Sequence, residues 1–502
     1  MHGVRGLLVA GTTSDAGKSV VTTGICRWLA REGVRVAPFK AQNMSNNSAV
    51  TRDGAEIARA QWVQAVAAQA EPEAAMNPVL LKPGSDLRSH VVVMGRPYGE
   101  LDATTFGSAR TALADAAFAA LADLAERYDV VVCEGAGSPA EINLREHDFV
   151  NMGLARQARL PVVLVGDIDR GGVFAAFHGT VALLDAADQA LVAGFVVNKF
   201  RGDAGLLSPG LRMIARTTGR PVLGVLPWLP GMWLDAEDAL DVVGRGHAIP
   251  VAAGDDMLRI AVVRFPRISN FTDVDALAVE PGVEVRFTAS PAEVAGADLA
   301  VLPGTRATVA DLEWLRSRGL ADAIVARAAA GRPTLGICGG YQMLAREIID
   351  EVESGAGTLS GLGLLPARAR FVAEKVLGRP VGEAYGVQVR TAYAIHHGRV
   401  TVDAGAQAFL DGCRAGAVWG TSWHGVLEED GLRRAFLREV ASLAGAEGFV
   451  VAPDTRFAAV REERIERLAD AIVRHLDTDA LRRLVQGGAP GGLPFVPPGA
   501  PT

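Results

Sequence analysis

The run Thr334-Leu335-Gly336-Ile337-Cys338-Gly339-Gly340-Tyr341-Gln342-Met343-Leu344 carries the clearest nucleophile in the chain. A short apolar segment ends in Gly-x-Cys-x-Gly and passes at once into helix-forming residues. That is the layout of a nucleophile elbow, a tight strand-to-helix turn that lifts one side chain into the open. Glycines on both sides tolerate the strained backbone and close packing of such a turn. The displayed residue is a cysteine, whose thiolate is intrinsically nucleophilic and is favoured at a helix N-terminus. A lone cysteine is more often a core residue, but a core strand gains nothing from three glycines.

A base for this cysteine must be its neighbour in space, not in sequence. His424 ends the small strand Trp419-Gly420-Thr421-Ser422-Trp423-His424 and is followed by Gly425, which makes it the best candidate. His396 and His397 compete, but adjacent strand residues point to opposite faces, so at most one of them faces a site. Oxyanion stabilisation needs backbone N–H groups beside the attacked carbon. Gly339 supplies one, and the Pro303-Gly304-Thr305 turn is placed to supply another. No group stands out as the partner that orients the histidine. Glu428 and Glu429 follow closely, but the spacing selects neither.

A second constellation lies near the amino end. An apolar run to Ala10 is followed by Gly11-Thr12-Thr13-Ser14-Asp15-Ala16-Gly17-Lys18-Ser19 and then by an amphipathic segment from Val20 to Arg31. Strand, glycine loop, Gly-Lys-Ser and helix is the order of a phosphate-binding loop. Its backbone N–H groups cradle phosphate oxygens. Lys18 would neutralise the terminal phosphate charge, and the Ser19 hydroxyl would ligate Mg²⁺. The loop is longer than the standard motif by one residue. Lys40 ends the next strand, where open α/β sheets bind ligands. Glu134 ends the buried strand in Tyr128–Cys133 and enters a glycine loop. A carboxylate there commonly completes the Mg²⁺ site of a P-loop protein.

These residues need two scaffolds. Strand–helix alternation runs through 34–40, 54–70, 105–127, 128–134, 161–165, 193–197 and 221–226, the pattern of a mostly parallel doubly wound sheet. It weakens from about 228 to 257 and resumes at Leu258–Val263, with mixed β structure between 369 and 403. The reading is α/β throughout: two doubly wound, mostly parallel-sheet domains, the first built around the phosphate loop and the second around the cysteine elbow, with a C-terminal helical segment. The boundaries fall at 1–230, a linker 231–257, 258–445, a helical segment 446–485, and a Gly/Pro-rich tail 486–502 expected to be disordered. Ile465, Leu468, Ile472 and Leu476 recur at helical spacing as a packing face.

Bulk composition agrees with large cores: 502 residues, 49% hydrophobic, only 6% aromatic. The formal net charge of −7 and the absence of basic runs argue against a nucleic-acid partner. No apolar run has the length of a membrane span, and no signal-peptide layout opens the chain. The four cysteines are widely spaced, which fits reduced thiols in the cytoplasm rather than a disulfide framework or a metal site.

With these residues in view, the carboxy half resembles the class I, triad-type glutamine amidotransferases, through Gly336-x-Cys338-x-Gly340-x-Gln342. The amino half resembles the dethiobiotin-synthetase-like P-loop ligases, which share the lengthened loop. Together they resemble the cobyric acid synthase family, through Gly11–Ser19, Pro38-Phe39-Lys40-Ala41-Gln42-Asn43-Met44, Glu134–Leu144, Asp167–Phe174, Asn198–Asp203 and Pro303-Gly304-Thr305. The resemblance implies ATP-dependent amidation of the b, d, e and g carboxylates of adenosylcobyrinic acid a,c-diamide, with ammonia from glutamine. It implies ATP and Mg²⁺ as cofactors. Nucleotide binding would fall to Gly11, Thr12, Asp15, Gly17, Lys18, Ser19 and Lys40, and metal binding to Ser19 and Glu134. Cys338 and His424 would be catalytic, with Gly304, Gly339 and Gln342 at the oxyanion and glutamine. The family's Tyr-Glu-Ile-His-Met-Gly is Tyr393-Ala394-Ile395-His396-His397-Gly398 here, so no role passes to a carboxylate at 394. A sister amidotransferase making cobyrinic acid a,c-diamide or isoglutaminyl lipid II is the nearest rival reading. A non-enzymatic P-loop switch is a more distant one, and it leaves Cys338 and His424 without a purpose.

Overall fold

The computed structural model describes residues 4–84, 88–102, 106–232 and 252–498. Six apolar segments of the amino half pair into one parallel sheet in the spatial order Val222–Pro227, Val192–Phe200, Val162–Asp167, Gly6–Gly11, Val130–Glu134, Val36–Phe39. Strands of this kind are covered on both faces, which is why they read as unbroken hydrophobic runs rather than alternating ones. Leu7 and Val9 face one layer of the core and Leu8 and Ala10 the other. The chain leaves strand Gly6–Gly11 towards one edge of the sheet and later continues on its other side. The loop after Gly11 therefore opens at the crevice where such sheets bind ligands.

The second sheet has the order Val283–Thr288, Leu258–Val263, Leu299–Leu302, Thr334–Ile337, Val418–Thr421, Gly412–Ala415, Gln407–Phe409. Its first five strands are parallel and its last two antiparallel. A four-stranded mixed sheet, including Ala367–Gly378 paired with Ala394–Val402, stands beside it.

Several expectations need correction. The first helix after Gly54 begins at Arg59, not 54, because Glu56–Ala58 pairs as a strand with Ser48–Val50. The C-terminal helical segment packs by its apolar face, as its spacing predicts. Helix Phe457–His475 lies against Lys18–Arg31, so close that a Cβ on Gly24 would stand 2.6 Å from Ile472. Ile465, Ile472 and Leu476 join the same core layer as Leu7 and Val9, and the buried Arg27 guanidinium reaches Glu462 at 2.6 Å and Glu466 at 2.9 Å. The tail expected to be disordered is ordered through 498. Val496 is buried in the opposite core layer, and its backbone exchanges hydrogen bonds with the Gln189 side chain at 2.8 and 3.0 Å. The buried Arg220 guanidinium also donates to the Pro494 carbonyl oxygen, so specific contacts hold a segment whose composition alone reads as loose. Most of the linker, 233–251, lies outside the described residues.

The two halves are joined by buried charge. Glu56 accepts from Lys82 at 2.6 Å and Ser48 at 2.9 Å within the amino half, and from Lys375 of the carboxy half at 2.5 Å. Burial alone would raise the Glu56 carboxyl, but Lys375 and Lys82 hold it far below the usual carboxylate range. Glu56→Ala would strand two buried cations. It is expected to lower stability by about 3–5 kcal/mol, as removal of one partner from a buried pair does, seen as a fall in the urea midpoint. Because the folded value is depressed, this stabilisation is complete above the unfolded glutamate value of about 4.3 and fades as pH falls below it. The wild-type advantage over Glu56→Ala should therefore shrink in acid.

Candidate active site

Strand Thr334–Ile337 ends directly in Cys338, and helix Gly339–Leu344 begins directly after it. Cys338 has φ 51° and ψ −110°, a conformation that L-residues adopt only when the surroundings enforce it. The surroundings do so: a Cβ on Gly340 would stand 2.0 Å from the Leu302 carbonyl oxygen, and one on Gly336 would stand 2.8 Å from the Tyr341 backbone. The elbow therefore has glycine where strand and helix touch, and the cysteine side chain is the part turned away from that contact.

The neighbouring strand Val418–Thr421 pairs in register with Thr334–Ile337 and leads to His424, which the structure brings beside Cys338. Gly304 lies against the same imidazole, and a Cβ there would meet His424 Cε1 at 3.0 Å. Gly339 faces the Thr305 turn, where a Cβ would meet Thr305 Cγ2 at 2.6 Å. The two glycines thus flank the cysteine from adjacent strand ends, and the Gly339 N–H, at the first position of its helix, has no intrahelical partner. Gln342 is buried one turn further on and accepts from the Thr308 hydroxyl at 3.1 Å. Of the competing histidines, His396 is pushed down to about 4, chiefly by burial, and remains a neutral ring beside His424. His397 turns its Nδ1 to the Val372 carbonyl oxygen at 3.1 Å.

The partner that orients His424 is neither Glu428 nor Glu429. It is Asp273, whose Oδ2 lies 2.6 Å from His424 Nδ1 and whose Oδ1 accepts from the Gly425 N–H at 2.8 Å. Glu428 instead pairs with Arg59 at 2.5 Å and Arg461 at 3.0 Å. Burial works against a charged imidazole at His424, yet Asp273 and then Cys338 outweigh it and raise His424 above the ordinary histidine range. Tyr393 stacks on the ring with centroids 5.4 Å apart. The arrangement is a thiol, an imidazole and a buried carboxylate in series. Asp273→Asn is expected to lower glutamine-dependent turnover by a hundredfold or more, on the order of the loss when a triad acid becomes an amide. Its pH dependence carries a sign: without the carboxylate the imidazolium is lost at lower pH, so the alkaline limb of the rate profile should move down.

In the amino half, the loop after strand Gly6–Gly11 closes over the start of helix Lys18–Arg31. Thr12 N–H donates to the Val165 carbonyl oxygen at 2.9 Å. Gly17 has φ 94°, and a Cβ there would meet Asn198 Nδ2 at 2.0 Å, so glycine is required. The Lys18 ammonium curls over the loop onto the Thr13, Ser14 and Gly137 carbonyl oxygens at 3.1, 2.8 and 3.3 Å. Asp15 pairs with Arg170 at 2.9 Å at the outer rim. Ser19 Oγ donates to Glu134 Oε1 at 2.9 Å, and Lys40 Nζ meets the same oxygen at 2.9 Å, fully buried. The Gln64 amide donates to the other Glu134 oxygen at 2.5 Å. Gln64, and the Asn198 and Lys199 side chains that hold the Ala16 and Asp15 carbonyl oxygens at 3.0 and 2.6 Å, complete the loop's support. Among the described residues no three His, Cys, Asp or Glu side chains gather as a metal site. A hydroxyl beside one carboxylate is instead the donor set of a hard cation that keeps waters and phosphate oxygens for its remaining positions, which fits Mg²⁺.

Comparison with known proteins agrees with this division. The family of CobB/CobQ-like glutamine amidotransferase domains matches residues 259–432, and that of CobQ/CobB/MinD/ParA nucleotide binding domains matches residues 7–240. Fold and site together define a glutamine amidotransferase ligase with a P-loop nucleotide-binding domain. Cobyric acid synthases of Streptomyces avermitilis and Streptomyces coelicolor are each 64% identical over 502 residues, 99% of this chain and 99% of theirs. That of Mycobacterium ulcerans is 61% identical, covering 99% of this chain and 100% of its own. The chain belongs to the cobyric acid synthase family. No helix among the described residues is long and apolar enough to cross a membrane.

Proposed function

We propose that this protein works in the cytoplasm on adenosylcobyrinic acid a,c-diamide in cobalamin biosynthesis, amidating the b, d, e and g carboxylates with ATP and ammonia taken from glutamine. The observation that carries this reading is the buried Cys338–His424–Asp273 series standing in one chain with a P-loop whose Ser19, Lys40 and Glu134 converge.

A carboxylate is a poor acyl donor, so its oxygen attacks the γ-phosphorus of ATP, giving an acyl phosphate and ADP. Gly11, Thr12, Gly17 and Ser19 offer loop and helix N–H groups to the phosphates, with Asp15 at the rim. Lys18 and Lys40 offset the charge that develops on transfer. Ser19 and Glu134 would hold Mg²⁺, which supplies further neutralisation of phosphate charge. In the other domain the Cys338 thiolate attacks the glutamine carboxamide carbon, and the oxyanion points at the Gly304 and Gly339 N–H groups, with Gln342 supporting the pocket. His424 gives its proton to the departing ammonia, leaving a thioester, and then takes a proton from the water that hydrolyses it to glutamate. Ammonia attacks the acyl phosphate and phosphate leaves. Ammonia is mostly protonated in neutral water, so transfer between the sites must be shielded.

Mass spectrometry of a reaction containing the diamide, ATP and glutamine tests the substrate directly. The expected result is a ladder of products, each step replacing one OH by NH₂, up to the fully amidated acid. Amidation of only the a and c positions of unamidated cobyrinic acid would overturn this substrate in favour of the sister activity.

A further inference from the structure

Asp273 does not lie on the core sheet of its own domain. It sits in the turn Phe271–Val274, just after Asn270, whose φ of 48° and ψ of 37° break the strand Ile268–Ser269. What fixes this turn from outside is the amino domain. The Ser48 N–H donates to Asn270 Oδ1 at 3.1 Å, and the Thr272 hydroxyl donates to Asn47 Oδ1 at 3.3 Å. All four residues are buried. Asn270 then reaches in the other direction and donates to the hydroxyl of Tyr393, the ring stacked on His424, at 3.4 Å. Two residues just before the acid are therefore held by the other domain.

The grip on the amino side is itself rigid. Ser48 is tied through its hydroxyl to Glu56 and Lys82, and the Asn47 carbonyl oxygen accepts from the Arg59 N–H at 3.0 Å. Helix Arg59–Ala67, which starts at that contact, carries Gln64 onto Glu134 at its far end and Arg59 onto Glu428 at its near end. The segment that holds the acid is thus continuous with the group beneath the phosphate loop.

We propose that Asn47 and Ser48 of the nucleotide-binding domain are positioning residues for the glutaminase reaction, acting through Asn270 and Thr272 to place Asp273 against His424. The glutaminase site is then complete only when the two domains are docked at this contact. Release of ammonia is tied to the state of the domain that consumes it. A misplacement near 1 Å at a catalytic group costs on the order of a hundredfold in rate, so a small shift of the Asn47–Ser48 segment is enough to throttle the cysteine.

The inference rests on the reading of Cys338 and His424 as the glutaminase pair, and the test separates the two. In the full chain, Asn270→Gly removes the side chain while tolerating the left-handed backbone. Thr272→Val removes only the hydroxyl, and Thr272→Ser keeps it. Glutamate release from glutamine and amidation supported by ammonium chloride are measured across pH. The expected result for Asn270→Gly and Thr272→Val is a fall in glutamine-dependent kcat on the order of tenfold to a hundredfold. The KM for glutamine should hardly change, the alkaline limb should move down as in Asp273→Asn, and ammonia-dependent amidation should be kept. Thr272→Ser should behave as the parent. Wild-type kcat and pH profile in Asn270→Gly and Thr272→Val would overturn the proposal, as would equal loss of both nitrogen sources, which marks a general folding defect. Glutamine-dependent turnover in Cys338→Ala would instead remove the glutaminase assignment itself.

Discussion

Cys338→Ala should abolish amidation from glutamine and leave amidation from ammonium salts close to the parent rate. The loss is expected to be on the order of 10⁴-fold or more, because removing the nucleophile of a catalytic series costs about as much as removing the whole series. The geometry explains why the damage should stay on one side. Cys338 is set in the second sheet, between Gly340 on Leu302 and the His424 strand, and none of its hydrogen-bond partners belongs to the phosphate loop. The alanine also fits: the elbow's strain is in the backbone, and its close contacts are made by the glycines rather than by the thiol. The assay is turnover with each nitrogen source, together with trapping of a glutamyl thioester in the parent and its absence in the variant. Loss of both activities would mean that the cysteine serves the ligase chemistry, and the division of labour between the domains would fall.

What could be read from the chain follows from how local each feature is. The phosphate loop and the cysteine elbow are written in consecutive residues, because both are single turns whose backbone demands glycine at stated places. Gly17 against Asn198 and Gly340 against Leu302 are the physical form of those letters. Glu134 and Lys40 were legible because parallel strands deliver their last residues to one crevice, and the structure brings both onto one oxygen environment. Asp273 was not legible. It stands far upstream of His424 in a turn with no periodicity, whereas the acids that adjoin His424 in sequence are Glu428 and Glu429. Gln64 was hidden for a different reason: a glutamine on a short helix reads as solvated, and only the closing of that helix over Glu134 buries it. The tail is illegible because composition reports the average of a segment, while its place is set by particular contacts: Val496 with Gln189, and Pro494 with Arg220.

Lys18→Ala should have the opposite signature to the cysteine variant, with amidation lost from glutamine and from ammonia alike. In the structure the Lys18 ammonium is buried and donates to three carbonyl oxygens around the loop, which are neutral acceptors. Phosphate oxygens arriving in the loop are charged and form stronger bonds, roughly twice as strong as neutral ones, so the ammonium exchanges its loop partners for them. Its value rises further on transfer, when charge gathers on the bridging oxygen. Lys40 alone does not replace Lys18, because its ammonium also carries the ion pair with Glu134 at 2.9 Å. The expected loss is on the order of a thousandfold in ligase turnover, the scale of a positioned cation in phosphoryl transfer. Basal glutamine hydrolysis, measured without the diamide, should remain, since the Lys18 ammonium turns onto the phosphate-loop carbonyl oxygens. Lys18→Arg should rescue poorly, because a guanidinium is too broad for the space between the Thr13, Ser14 and Gly137 carbonyls. Retained ammonia-dependent amidation in Lys18→Ala would remove Lys18 from the phosphate site, and with it the assignment of the loop as the place where the carboxylate is activated.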